Sequence, residues 1–399
     1  MQIERSKYME KLFAFKDKRI IKVITGVRRC GKSTLLEIYQ EKLLQSGITQ
    51  EQITSVNFEE YDNAYLTAPD TLYAFIKNRL CKDKISYIFL DEIQHVTDFP
   101  RIVDSLFLKK NVDIYITGSN AYMLSSEIAT LLSGRYVEIR MLPLSFREYV
   151  QTTGDNYDLP RKYTDYLDTS SFPYVLELEG RQTEIHDYLQ GLYNTIIMKD
   201  IMARKKIFDP MMLDSVIRFV FDIIGNLLST KKIADTMSSS GRKIDVKTVD
   251  KYMNTLIETF IVYQAKRYDI RGKQYLKTLE KYYVVDIGLR SALLGSRAYD
   301  AGHILENVVY LELIRRGFDV YIGKFDGNEI DFITISKSGL TYYQVAATVR
   351  DENTLHRELR SLRNLRDHYP KYLLSLDEDP DADYDGIIRT NVLKWLIND

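Results

Sequence analysis

The sequence predicts an α/β protein: a parallel sheet with helices on both faces, then a helical, winged-helix region, then a small α/β unit. Three observations carry this expectation. Residues 19–141 alternate short β-branched runs with helical segments, residues 161–290 turn to long helical periodicity, and strands and helices alternate again from about residue 302. A chain of 399 residues exceeds one ordinary core, so three domains are expected, at 1–160, 161–290 and 291–399.

In the first region "RIIKVIT", "ITSVNF", "ISYIFL", "VDIYIT" and "YVEIRM" read as strands, apolar enough to lie between two helical layers. The segment "STLLEIYQEKLLQSG" reads as a helix that stops at Gly47. After "PLSFREYV" the pattern is helix, turn, helix and a two-stranded wing. Ser229 and Asp245 are expected N-caps, and Val249, Tyr252, Leu256, Ile257 and Phe260 form an inward stripe at helical spacing. The last unit opens with the helix "HILENVVYLELIRRG", continues in "FDVYIGKF", "EIDFITIS" and "TYYQVAATV", and closes with a further helix and "KYLLSL".

A composition of 45% hydrophobic and 28% charged residues is that of a globular chain, and a net charge of −1 gives no global attraction to nucleic acid or membrane. Any DNA contact must be local. The first residues lack an apolar stretch with a cleavage site, and no apolar run approaches the roughly 18 residues of a membrane span, so a cytoplasmic chain is expected. Two cysteines, Cys30 and Cys81, with the first inside a glycine loop, fit a reduced compartment. The histidines are scattered without metal-ligand spacing, which argues against zinc.

The stretch "GVRRCGKST", residues 26–34, fits G-x-x-x-x-G-K-[ST] with a strand before it and a helix after it. Glycines at 26 and 31 allow a tight loop whose backbone N–H groups turn toward phosphate oxygens, at a helix N-terminus that favours anions. The expected nucleotide contacts are Gly26, Val27, Arg28, Arg29, Cys30, Gly31, Lys32, Ser33 and Thr34, with Lys32 reaching the β and γ phosphates and Ser33 offering a hydroxyl to Mg²⁺. About sixty residues on, "YIFLDE" ends a strand in Asp91, the expected metal-side carboxylate, and Glu92, the expected base for an attacking water. Asn120, ahead of Ser119, is the candidate for orienting that water. Arg28 and Arg29 face phosphate, a partner subunit, Glu92 or solvent; Arg135 is either an arginine finger for a neighbouring subunit or a structural ion pair.

With these residues in view, "IKVITGVRRCGKSTLL", "YIFLDEIQ", "ITGSN", "LSGRYVEIRMLPLSFREY", "FPYV" and "LYNTIIMKDI" resemble the bacterial and archaeal proteins that join an AAA-type ATPase module to a C-terminal domain of unknown function. The resemblance spans nearly the whole chain and implies an additional-strand, catalytic-glutamate P-loop fold, with Lys32, Ser33, Asp91 and Glu92 in their usual roles. It also implies ATP sites completed by a neighbouring chain, hence a homo-oligomer.

Two later regions suggest partners. Residues 212–283 resemble a winged helix, whose face bearing Lys247, Thr248, Lys251 and Asn254 would enter a DNA major groove while the wing, with Arg271 and Lys273, touches phosphates. Residues 266–281 carry a local net charge of +4. Glu306, Asp331 and "YYQVA" resemble a nuclease-like fold whose metal site uses an acid and then an acid-x-lysine pair. That pair reads Gln344-Val345-Ala346, a weak ligand and no ammonium, so cleavage is not expected. The expected function is Mg-dependent ATP binding and hydrolysis coupled to movement of the C-terminal region on DNA. The alternatives are a nucleotide switch or scaffold for a protein partner and an ATP-regulated, metal-dependent nuclease.

Overall fold

The computed structural model describes residues 3–119, 121, 132, 134–154, 158–202, 207, 209–272, 274–295, 300–337 and 339–398. The chain forms two compact units, Met1–Pro143 with Glu258–Phe260, and Leu144–Ile257 with Ile261–Asp399.

The first unit is built on a five-stranded parallel sheet. Its elements are α1 (Ser6–Ala14), β1 (Ile21–Thr25), α2 (Lys32–Gln45), β2 (Ile53–Asn57), α3 (Pro69–Lys77), β3 (Ser86–Asp91), α4 (Phe99–Phe107), β4 (Val112–Gly118) and β5 (Tyr136–Arg140), with strand order β2-β3-β4-β1-β5. All five expected strands are present. Every residue of β1 and β3 is buried, which is why their sequences run apolar without alternation. On one side Val23, Ile88, Leu90, Ile114 and Ile116 pack with Leu72 and Ile76 of α3 and Val103 and Leu106 of α4. Two charged residues within the strands, Lys22 and Asp113, bond each other, and Tyr115, itself bonded to Tyr39, donates to Asp113. Helix α2 ends as expected beside Gly47, which takes a left-handed φ of 93°.

The second unit starts with α5 (Phe146–Thr153), whose N-cap Ser145 and Glu148 satisfy each other's backbone N–H groups as a capping box. It continues through α6 (Leu159–Thr169), α7 (Gln182–Thr195), the π-helical Ile196–Met202, α8 (Pro210–Asp222), β6 (Leu227–Leu228), α9 (Thr230–Ser239) and α10 (Val246–Glu258). Then come β7 (Val262–Asp269), β8 (Gln274–Val284), α11 (Ile287–Leu294), α12 (Ala301–Arg315), β9 (Asp319–Phe325), β10 (Asn328–Ser336) and β11 (Gly339–Ala346). The unit closes with α13 (Glu352–Arg363), β12 (Lys371–Ser375), β13 (Ala382–Asp383), β14 (Ile387–Asn391) and α14 (Val392–Ile397). Ser229 and Asp245 cap α9 and α10 as expected, accepting from the N–H groups of Lys232 and Thr248. Val249, Tyr252 and Leu256 are buried; Ile257 is half-buried, and Phe260 lies past the helix end.

The expected boundaries at 160 and 290 are not where compactness divides the chain. Leu144 donates its N–H to Ser171 O and accepts from the Tyr166 hydroxyl, and Phe146 packs edge-on against Tyr163 and Tyr166, so residues 144–160 belong with the helices after them. Residue 290 falls inside one unit, because β7 and β9 pair in parallel at Arg267–Ile322, Tyr268–Gly323 and Asp269–Lys324. The strands expected to form a wing, β7 and β8, and the C-terminal strands thereby share one nine-stranded sheet, in the order β13-β14-β12-β11-β10-β9-β7-β8-β6.

Candidate nucleotide site

The carboxyl ends of β1, β3 and β4 meet in register, with Thr25 beside Gly118 and Leu90 beside Ile116. In a parallel sheet these ends face one edge, where loops gather side chains from several strands. Residues 26–31 leave β1 at this edge and enter α2 directly.

Two glycines make the turn possible. A Cβ at Gly26 would stand 2.2 Å from the Met141 carbonyl oxygen, so backbone and backbone approach too closely for any side chain. Gly31, the N-cap of α2, has a φ of 101°. Between them Cys30 and Val27 are buried as packing; burial pushes the Cys30 thiol up from its ordinary pKa, which disfavours the thiolate. Thr34 is exposed and Ser33 half-buried at the helix start.

Lys32 turns its buried ammonium onto this loop. Nζ donates to Gly26 O at 3.2 Å and Val27 O at 3.3 Å and stands 3.4 Å from Glu92 Oε1. Burial, the largest single influence, would lower the Lys32 pKa, but Glu92, Cys30 and Asp91 together outweigh it and the shift is upward. Burial would likewise raise Glu92; the Lys32 ammonium, the Gln94 hydrogen bond and the Arg28 guanidinium hold it below the usual carboxylate range. Glu92 is therefore ionised at neutral pH and aimed at the loop. Its backbone is left-handed, with φ 54°, an uncommon conformation for a non-glycine residue.

Asp91 sits one residue earlier at the end of β3, accepting from the hydroxyls of Thr117 and Ser33; burial raises its pKa. A hydroxyl and a carboxylate are hard oxygen donors, which fit Mg²⁺. Thr117, on β4, was not among the sequence candidates. Its hydroxyl donates to Asp91 and accepts the Glu92 N–H at 2.9 Å, so one side chain orients both acids. Only its place as the last polar residue of "VDIYIT" could have marked it.

The other candidates divide. Arg28 is buried and pairs with Glu59 at 2.6 Å, next to the loop and within electrostatic reach of Glu92. Arg29 is exposed, with φ 66°. Ser119 is buried, and Asn120 lies outside the described residues. Arg135, expected as an arginine finger for a neighbouring subunit or as a structural ion pair, makes an ion pair within this chain. It precedes β5, its carbonyl accepting from Ile21 N at the amino end of β1, and it pairs with Asp104 of α4. That places it at the opposite edge of the sheet, roughly 13 Å of strand from the loop. Within this chain it is a structural ion pair.

Comparison with known proteins agrees with this geometry. Residues 18–150 match the model of an AAA domain, and residues 160–300 match a domain of unknown function (DUF8612). An uncharacterized protein of Haemophilus influenzae is 40% identical over 400 residues, covering 99% of this chain and 98% of its own length. An uncharacterized protein of Methanocaldococcus jannaschii is 27% identical over 337 residues, covering 80% of this chain and 73% of its own. Among solved structures, a Walker-type ATPase of Pyrococcus abyssi has a similar fold, with a TM-score of 0.51 at 13% identity over 73% of this chain and 95% of that one. A glycine loop closing on Lys32, a strand ending in Asp91 and Glu92, and near full-length likeness to the Haemophilus protein converge on one conclusion: the chain belongs to the AAA-type P-loop ATPase family that carries a C-terminal region of unknown function.

Proposed function

We propose that the chain binds ATP with Mg²⁺ and hydrolyses it, and that turnover changes how the second unit engages DNA. The observation that carries the reading is the convergence of Lys32, Ser33, Asp91 and Glu92 on one glycine loop. Backbone N–H groups of residues 26–33 cradle the phosphates, and Lys32 exchanges its two carbonyl contacts for phosphate oxygens. Ser33 and Asp91 hold the metal, which when bound neutralises charge developing on the phosphates. Glu92, ionised and fixed through Thr117, takes the proton of the attacking water.

The DNA part rests on α10, where Lys247, Lys251 and Asn254 are exposed beside the buried stripe, and on the order α8-β6-α9-α10-β7-β8 with β6 paired to β8, which supports reading this region as a winged helix. The wing offers less than the sequence suggests. Arg271 pairs with Asp326 at 3.0 Å, β7 is built into the large sheet, and Lys273 lies outside the described residues. That engaged wing favours a second reading, a nucleotide switch for a protein partner.

Phosphate release by Glu92→Gln separates turnover from switching. Under the ATPase reading it retains ATP and loses hydrolysis by roughly 100-fold or more; unchanged turnover refutes the role of Glu92. Hydrolysis with and without double-stranded DNA over a salt series tests the partner. Stimulation that fades as salt rises points to phosphate contacts, with Lys247→Ala and Lys251→Ala each reducing the salt slope by about 1. A response flat in both DNA and salt favours the protein partner.

A further inference from the structure

Beyond the nucleotide site, the second unit contains a buried cluster of opposite charges. Lys281 Nζ, on β8, lies 3.1 Å from Glu306 Oε2 of α12, 2.8 Å from Glu329 Oε1 and 3.9 Å from Asp331 Oδ1, both on β10. The Tyr283 hydroxyl donates to Glu306, the Val345 N–H donates to Asp331 at 2.9 Å, and His303 stands 3.6 Å from Glu306. The main chain closes in as well: a Cβ at Gly225 would lie 2.7 Å from His303 Nδ1.

Glu306 and Asp331 are the two acids that resemble a nuclease-like metal site. The remaining residues do not fit a metal. Gln344 donates its amide to Glu358 at 2.9 Å, and with Lys281 seated among the acids no group of three or more His, Cys, Asp and Glu side chains among the described residues is arranged to hold an ion. At the centre of the acids stands an ammonium, delivered by β8 rather than by β11, the strand of the missing acid-x-lysine position. An ammonium among carboxylates neutralises the charge that a divalent cation would otherwise balance.

We propose that Lys281 is a built-in cation that closes this carboxylate cluster to divalent metal for as long as β8 lies on it. The lysine replaces the metal rather than assisting it, and by joining β8 to α12 and β10 it holds the wing strands to the C-terminal strands. Burial would lower its pKa, but the three carboxylates outweigh burial, so the plug stays charged. Glu329 is a third exposed, which leaves an approach for an ion once the ammonium is removed. The inference is independent of the ATPase reading.

The test is Mn²⁺ uptake by the nucleotide-free full-length chain, followed by electron paramagnetic resonance. Lys281→Ala is expected to take up one ion more than the parent or Lys281→Arg, and the double variant Lys281→Ala/Asp331→Asn is expected to lose that gain. Equal uptake by the parent and Lys281→Ala, or a gain that survives Asp331→Asn, overturns the proposal. Thermal unfolding with and without Mn²⁺ covers a poorly folding variant. The proposal requires Mn²⁺ to raise the melting temperature of Lys281→Ala but not of the double variant, and no rise in either refutes it.

Discussion

Lys32 and Lys281 are both buried ammonium groups facing carboxylates, yet their settings prepare them for opposite tasks. Lys32 leaves a glycine loop, donates to two neutral carbonyls and faces Glu92 at 3.4 Å. Lys281 leaves a strand next to the sheet's edge and has three carboxylates around it within 3.9 Å. Both ammonium groups make charge-assisted bonds, but a neutral carbonyl attracts an ammonium less than an anionic oxygen does, so a triphosphate would displace the carbonyls from Lys32 more readily than any ligand would displace three acids from Lys281. Burial does not separate a ligand-binding lysine from a structural one. The strength of the contacts it must give up does.

The comparison can be broken by exchanging the fates of the two lysines. Lys32→Ala is expected to lower turnover by roughly 100-fold or more and to cost less stability than loss of Lys281, because it strands one buried carboxylate, Glu92, rather than three. Lys281→Met, in contrast, is expected to cost about 3–5 kcal/mol of stability, because it strands buried carboxylates, and to spare nucleotide affinity. Denaturant unfolding and nucleotide titration of both variants measure the two effects; similar losses of stability would erase the distinction.

Thr117→Val sharpens the nucleotide side. With its shape kept and its hydroxyl gone, kcat is expected to fall roughly tenfold, with KM changed little and Thr117→Ser restoring the rate. A change in KM alone would show that Thr117 serves binding rather than the orientation of the acids. The smallest effect concerns pH. Glu92 has a folded-state pKa below its unfolded value of about 4.3, so the stability from its pairing with Lys32 is present above that pH and disappears as pH falls through the lower, folded value. The stability difference between the parent and Glu92→Gln should be flat from neutral pH down to about 5 and shrink below about 4. A difference that shrinks between pH 7 and 5 would contradict the direction of the shift.

Much of the first unit is legible in the sequence because its signals are local. A central parallel strand is apolar along its whole length, a tight phosphate turn needs glycine at two positions, and a strand end bearing Asp91 and Glu92 announces itself within six letters. The N-caps Ser229 and Asp245 are legible for the same reason. What escapes the sequence is set by contacts between distant positions. Thr117 gains its contacts to both acids only because β4 lies beside β3, and Arg135 meets Asp104 only because β5 starts at the sheet edge away from the loop. The break after Pro143 depends on Tyr166 and Ser171 reaching back to Leu144.

By itself the sequence determined the order of strands and helices, the phosphate loop and its acidic strand end, since each depends on residues a turn or a strand apart. The tertiary structure alone decided which side chains share a charge. It set Lys281 among Glu306, Glu329 and Asp331 and merged β7 and β8 with the C-terminal strands into one sheet. The reason is physical: backbone propensity and apolar period act over neighbouring residues, whereas the pairing of buried charges depends on which strands become neighbours, and no local pattern records that.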